Sequence, residues 1–140
     1  MAHRHPSKLN AEHVAHPSAR RLLKAELANC ADCRTRSEEE ALATPEVLAS
    51  LLHGFALKRA AQWRDRHSRY PSSLHDLAPP TEVRFLTPPT REIALLCIIG
   101  SRSGDRVDTA AALDELEAMT GAERALVLGD LIDGLLEDEG

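Results

Sequence analysis

The sequence predicts an all-α protein: a small helical bundle with a long central helix, a C-terminal three-helix unit and a Pro-rich connector between them. Three observations carry this. Apolar residues make up 43% of the 140 residues, yet only Phe55, Trp63, Tyr70 and Phe85 are aromatic. The core must then be built from Leu, Ala, Ile and Val, and Ala and Leu are strong helix formers. Apolar residues also recur with helical periodicity over residues 45–69 and 107–137. Finally, five prolines between Pro71 and Pro89 preclude a long helix there and mark a boundary.

This length suits one domain, with enough chain to bury a core without disulfides. Residues 1–43 read as a His-rich arm, a short helix and a Cys-x-x-Cys connection. Pro17 suits a first helical turn, and Leu22, Leu23 and Leu27, with Ala19 and Ala28, form an amphipathic stripe ending near Asn29. The following "CADCRTRSEEE" reads as a polar connection.

Thr44 as N-cap, Pro45 at N1 and Glu46 in the first turn open the central helix, assigned to residues 44–70. Its first half buries Leu48, Leu51, Leu52 and Phe55. After Gly54 that face turns basic with Lys58, Arg59, Arg66 and Arg69, and a second apolar stripe (Ala56, Ala60, Trp63) is rotated by about a quarter turn. Either a bend at Gly54 or two different neighbours accounts for the change. Residues 71–89 form the connector, where Val83 to Leu86 is the one short pairing expected.

The C-terminal unit covers residues 90–140. Thr90 as N-cap, with Glu92 behind it, introduces Ile93 to Ile99, which is apolar all round. Periodicity does not separate helix from strand there; the cap and the Leu/Ala content favour helix. Asp108 or Thr109 starts the next helix, with Ala112, Leu113 and Leu116 inward, and Thr120-Gly121 ends it. In the last helix, from Ala122 to Glu137, Leu128, Leu131, Ile132, Leu135 and Leu136 share one face. Asp130, Asp133 and Glu137 share the other and are expected to stay solvated. Leu126 alone falls outside this pattern.

Net charge is −5, distributed as +1 over residues 1–40, +3 over 41–91 and −9 over 92–140. A mildly basic middle and a strongly acidic end suggest contacts within the chain or with a partner rather than nucleic-acid binding by the whole molecule. The longest apolar run, Ile93 to Ile99, is far short of the ~18 residues of a membrane span. The N-terminus lacks an apolar signal region. Three cysteines, an odd number, fit reduced thiols. A cytoplasmic setting with no membrane partner is therefore expected.

The chemically sharpest stretch is "HVAHPSARRLLKAELANCADC". His13 and His16, then Cys30 and Cys33, supply two ligand pairs of the types and short spacing used by structural zinc. The pattern resembles the two-His, two-Cys zinc modules of integrases, in which a longer stretch separates the pairs. A helix between the pairs holds them apart, so His3, His5, His53, His67 or His75 are alternative partners for the cysteines. A redox role for Cys30 and Cys33 is disfavoured by placing Cys30 at a helix C-terminus, where the dipole opposes ionisation. Cys97 reads as a small core residue.

Two further likenesses lie in the second half. "ALVLGDLIDG" resembles the Gly-Asp-x-x-Asp segment of metallophosphoesterases, which would make Asp130 a metal ligand. The Asp-x-His that accompanies it is replaced here by Gly100, Ser101 and Arg102. The succession "EIALLCIIG", "TAAALDELEAM" and "ERALVLGDLIDGLLEDEG" resembles the three-helix core of winged-helix regulators, without the wing. Its third helix sets Glu123, Asp130 and Asp133 against Arg124 alone, a face that phosphate would repel.

No nucleophile elbow, phosphate-cradling loop or paired general acid and base is legible. The expected function is that of a small non-enzymatic adaptor or regulator acting through protein–protein contacts or self-association, with structural zinc as candidate cofactor. Candidate contact residues are Lys58, Arg59, Arg66 and Arg69 on the central helix and Val127 and Leu136 at the edge of the last helix's apolar arc. The alternatives are a nucleic-acid-associated regulator using the basic central helix and a divergent, truncated metal hydrolase.

Overall fold

The computed structural model describes residues 14, 16–67, 87–96, 98–99 and 107–136. Among them are six helices: α1 (Pro17–Ala28), α2 (Ala31–Ala43), α3 (Pro45–His67), α4 (Pro88–Leu96), α5 (Ala110–Ala118) and α6 (Gly121–Leu136). A minimal antiparallel pairing joins β1 (Ile98–Ile99) to β2 (Val107–Asp108), with Ile98 opposite Asp108 and Ile99 opposite Val107. The fold is all-α. None of the described helices is long and apolar enough to cross a membrane.

The first half departs from the sequence reading at α2. The segment expected to be a polar connection is a helix of 13 residues. Only Ala41 on it is fully buried, with Leu42 packed at the edge of the core. It folds back on α1 through a tight turn. Asn29 takes the left-handed conformation (φ 56°) that closes α1. The Asn29 and Cys30 amides donate to Glu26 and Ala25 carbonyls at 3.1 and 3.3 Å, a Schellman closure. Thr44 then separates α2 from α3. It stands before Pro45, whose ring disfavours helical geometry in the preceding residue, and it is extended.

Helix α3 runs without interruption through Gly54 and packs on α1, α2, α5, α6 and β2. Of its second apolar stripe Ala56 is fully buried, and the side chains of Ala60 and Trp63 lie outside the described residues. The run from Ile93 to Ile99 is divided: α4 ends at Leu96 and the β-branched Ile98 and Ile99 pair as strand. The expected pairing at Val83 to Leu86 lies outside the described residues. Helix α4 also starts earlier than Thr90 suggested. Thr87 is its N-cap, accepting from the Arg91 amide at 3.0 Å, and Pro88 and Pro89 occupy the first turn.

One hydrophobic cluster includes residues of all six helices. Leu22, Leu23, Leu48, Leu51, Leu52, Ile93, Leu116, Val127 and Leu131 are fully buried in it. Phe55 is the aromatic member, and its ring fills the space where Gly134 would carry a Cβ.

Charged side chains from neighbouring helices close the helix ends. Asp130 of α6 accepts at Oδ2 from the Thr87 amide (2.9 Å) and from the Thr87 and Thr90 hydroxyls (both 2.6 Å), at the N-terminus of α4. This overturns the expectation that Asp130 stays solvated. Lys58 of α3 donates from Nζ to the Gly134 and Leu135 carbonyls at the C-terminus of α6 (3.1 and 2.9 Å). The Arg124 guanidinium donates to Leu116 O (2.9 Å), Glu117 O (3.0 Å) and Leu42 O (3.3 Å), tying the ends of α5 and α2 together. Each charge has the sign that the helix dipole favours at that end. Local caps complete the set: Thr120 and Glu123 form a reciprocal capping box on α6 (3.0 and 3.2 Å), and His16 Nδ1 accepts from Ser18 N on α1 (3.1 Å).

Two pairs of variants test this packing by thermal and chemical denaturation. Gly134→Ala must displace the Phe55 ring and should cost about 1–3 kcal/mol. Gly129→Ala meets open space and should be neutral or stabilise by up to about 1 kcal/mol, because Ala is the better helix former. Arg124→Met should cost about 2 kcal/mol or more, because carbonyls at two helix ends lose a charged donor. Arg124→Lys should recover little, since an ammonium cannot fan out to three carbonyls as the guanidinium does.

Candidate functional site

Of the predicted histidine ligands, His16 is not brought to Cys30 and Cys33. His16 sits before the first turn of α1, and Cys30 lies beyond the last, a helix of 12 residues away. That is about 18 Å at 1.5 Å per residue, against metal–ligand bonds near 2 Å. His16 also commits Nδ1 to the Ser18 amide. Among the described residues no three His, Cys, Asp or Glu side chains gather as a metal group. His13 lies outside the described residues, as do His3, His5 and His75, and the side chain of His67.

Cys30 and Cys33 do meet each other. The two cysteines occupy the N-cap and N3 positions of α2, and the thiol of Cys33 hydrogen-bonds the sulfur of Cys30. That bond, followed by partial burial, pushes the Cys33 thiol above its ordinary range. The expectation that Cys30 marks only a helix C-terminus is thus corrected: the same turn that closes α1 opens α2.

A second titratable cluster ties α1 to α2. The Glu26 side chain is 8% exposed, and its Oε2 lies 2.9 Å from Arg34 Nε. Arg34 also donates to Asn29 Oδ1 at 2.8 Å. Glu26 Oε1 is buried with no donor among the described residues, and the adjoining Glu38 carboxyl bonds Glu26 only when one of the two carries a proton. Burial, reinforced by Glu38 and opposed by Arg34, pushes the Glu26 carboxyl up to about 7. Sequence reasoning missed this pair because the two residues are twelve apart and meet only when the unrecognised α2 folds onto α1.

The basic stripe on α3 is drawn partly inward. Lys58 is engaged with the end of α6. The side chains of Arg59 and Arg66, and all of Arg69, lie outside the described residues. Of the two candidates on α6, Val127 is fully buried in the chain's own core, and Leu136 is half-buried and packed against it. Val127 thus presents nothing to a partner. Leu128, Leu131 and Leu135 are buried too, so the broad apolar arc is covered from within by α3, α4 and other helices.

What remains open is the opposite side of α6. Ala122, Ala125, Leu126 and Gly129 are all exposed and follow the spacing of one helical stripe. Leu126 is 48% exposed, the most open large apolar side chain among the described residues; Leu96, at 37%, ends α4. The stripe runs between two exposed acids, Glu123 and Asp133. Arg124, the only cation on α6, is turned onto backbone carbonyls. The face is therefore shallow, apolar along its centre and acidic around it. No family model, no characterised protein and no solved structure matches the chain.

The Glu26 pair sets a pH dependence. The folded state holds a proton on Glu26 up to about pH 7, whereas an unfolded Glu releases it near 4.3. Between these values the folded state binds more protons, so this group's contribution to stability falls as pH rises through the window. Melting temperatures measured from about pH 5 to about pH 8 should therefore fall less for Glu26→Gln than for the wild type, with the variant the more stable at the upper end. Parallel profiles would show that Glu26 carries no excess proton in the folded protein.

Proposed function

We propose that this protein is a small adaptor or regulatory module that binds a basic amphipathic helix of another protein along the outer face of α6. One observation carries the reading: the stripe Ala122–Ala125–Leu126–Gly129 is exposed on a helix tied near both ends to other parts of the chain, through Arg124 to α2 and through Lys58 of α3. Small residues let a partner backbone approach closely, and Leu126 supplies an apolar anchor. Covering one leucine is worth roughly 1.5–3 kcal/mol. Glu123 and Asp133 select the charge of the partner: they attract Lys and Arg, and they repel a second copy of the same face. The engagement of Lys58 with α6 weighs against phosphate contact by that part of α3.

The test uses a fluorescent Leu/Lys amphipathic helix peptide and anisotropy titration at low and high salt. Binding should weaken with salt. Leu126→Ser should weaken it about tenfold or more while changing stability by no more than about 0.5 kcal/mol, as is usual for an exposed position. A Leu/Glu peptide should not bind. Equal binding of both peptides, or a Leu126-dependent dimer in sedimentation equilibrium, would overturn the proposal.

A further inference from the structure

Independently of the α6 face, we infer that Cys30 and Cys33 form a dithiol site that closes to an intrachain disulfide by exchange with a low-molecular-weight disulfide such as oxidised glutathione. The geometry that supports this is the N-terminal turn of α2. Cys30 is the N-cap, extended at φ −86° and ψ 108°, and its carbonyl accepts the Arg34 amide at 2.9 Å. Cys33 is N3. Side chains at N-cap and N3 lie on the same side of the first helical turn; in a capping box each reaches the other residue's backbone amide. Here the two groups that meet are sulfurs, joined by a hydrogen bond. Both cysteines are half-exposed thiols, within reach of a small reagent.

The position also differs from that of an ordinary cap. Ser, Thr, Asp or Asn at an N-cap would accept from the first-turn amides. Cys30 makes no such side-chain bond. The sulfurs face each other instead, and joining them asks for no unwinding of α2, because both belong to the same turn.

The exchange proceeds in two displacements. The Cys30 sulfur, as thiolate, attacks one sulfur of the small disulfide. A mixed disulfide forms at Cys30, and the first small thiolate leaves and takes up the proton lost by Cys30. The Cys33 sulfur then attacks Cys30 Sγ. The mixed disulfide breaks, the Cys30–Cys33 bond forms, and the second small thiolate leaves with the proton from Cys33. The protein dithiol loses two electrons and two protons, and the small disulfide gains them as two thiols. Cys30 is the entering sulfur because Cys33 holds its proton in the hydrogen bond between them.

The experiment uses the full chain with Cys97→Ser, so that only this pair can react, incubated with oxidised glutathione and read by intact-mass spectrometry after alkylation. The expected product is a monomer lighter by two hydrogens, with no alkylated thiol, no retained glutathione and an unchanged helical circular dichroism spectrum. Dithiothreitol should restore two alkylatable thiols. Adding Cys33→Ser should trap one glutathione on Cys30, while adding Cys30→Ser should abolish the product lighter by two hydrogens. A pair that stays fully alkylatable, a stable glutathione adduct with both cysteines present, or a product linked between chains would overturn the inference.

Discussion

Closing the ends of its helices is the constraint on which this structure depends. Six helices among the described residues mean many backbone amides and carbonyls without partners inside their own helix. Among the described residues, the hydrophobic cluster that packs them is almost wholly aliphatic and offers those groups no partners. The chain meets the need with side chains sent from one helix to the end of another: Asp130 to α4, Lys58 to α6, Arg124 to α5 and α2. Each contact satisfies hydrogen-bonding groups, places a charge where the dipole favours it and fixes one helix against the next. These contacts also connect distant parts of the chain. Lys58 and Leu135 are 77 residues apart, and Leu42 and Arg124 are 82 apart.

This arrangement explains which elements were legible in the sequence. Helices α1, α3, α5 and α6 announce themselves by apolar period, helped by local start signals such as Pro17, Thr44-Pro45 and Thr109 at the first three. Helix α2 does not. Its sequence ADCRTRSEEEALA offers only Ala41 and Leu42 to the core, so no stripe is visible. It is held by polar links that form only in the folded chain: Ser18 Oγ to Glu40 Oε1 at 2.5 Å, Glu26 to Arg34, and Arg124 to Leu42 O. The start of α4 was misread for a related reason. Thr90 looks like an N-cap, but a threonine at N3 behind two prolines serves as well when an aspartate from α6 accepts both threonine hydroxyls.

The same logic separates the readable site residues from the hidden ones. The cysteine spacing stands out in sequence, but its setting depends on whether the following residues are helix. With α2 recognised, the pair moves from the close of one helix to the opening of another. The likeness of "GDLID" to a metal-binding segment has a different physical source: Asp130 needs its carboxylate for the end of α4. Val127 was misplaced because one helix alone shows the width of its apolar arc and not how many neighbours cover it. Leu126, the residue that fitted no helical face in the sequence, is the most exposed large apolar side chain among the described residues.

The claim that helix-end charges hold the fold together is tested most directly by a double-mutant cycle on Asp130 and Thr90, measured by chemical denaturation. Thr90 is fully buried, and Thr90→Val keeps its shape while removing the hydroxyl that Asp130 accepts. The account predicts that Asp130→Ala and Thr90→Val each destabilise the protein, and that their effects fall short of additivity by about 1 kcal/mol or more. Additivity within about 0.3–0.5 kcal/mol would contradict it, because the carboxylate and the hydroxyl would then act independently.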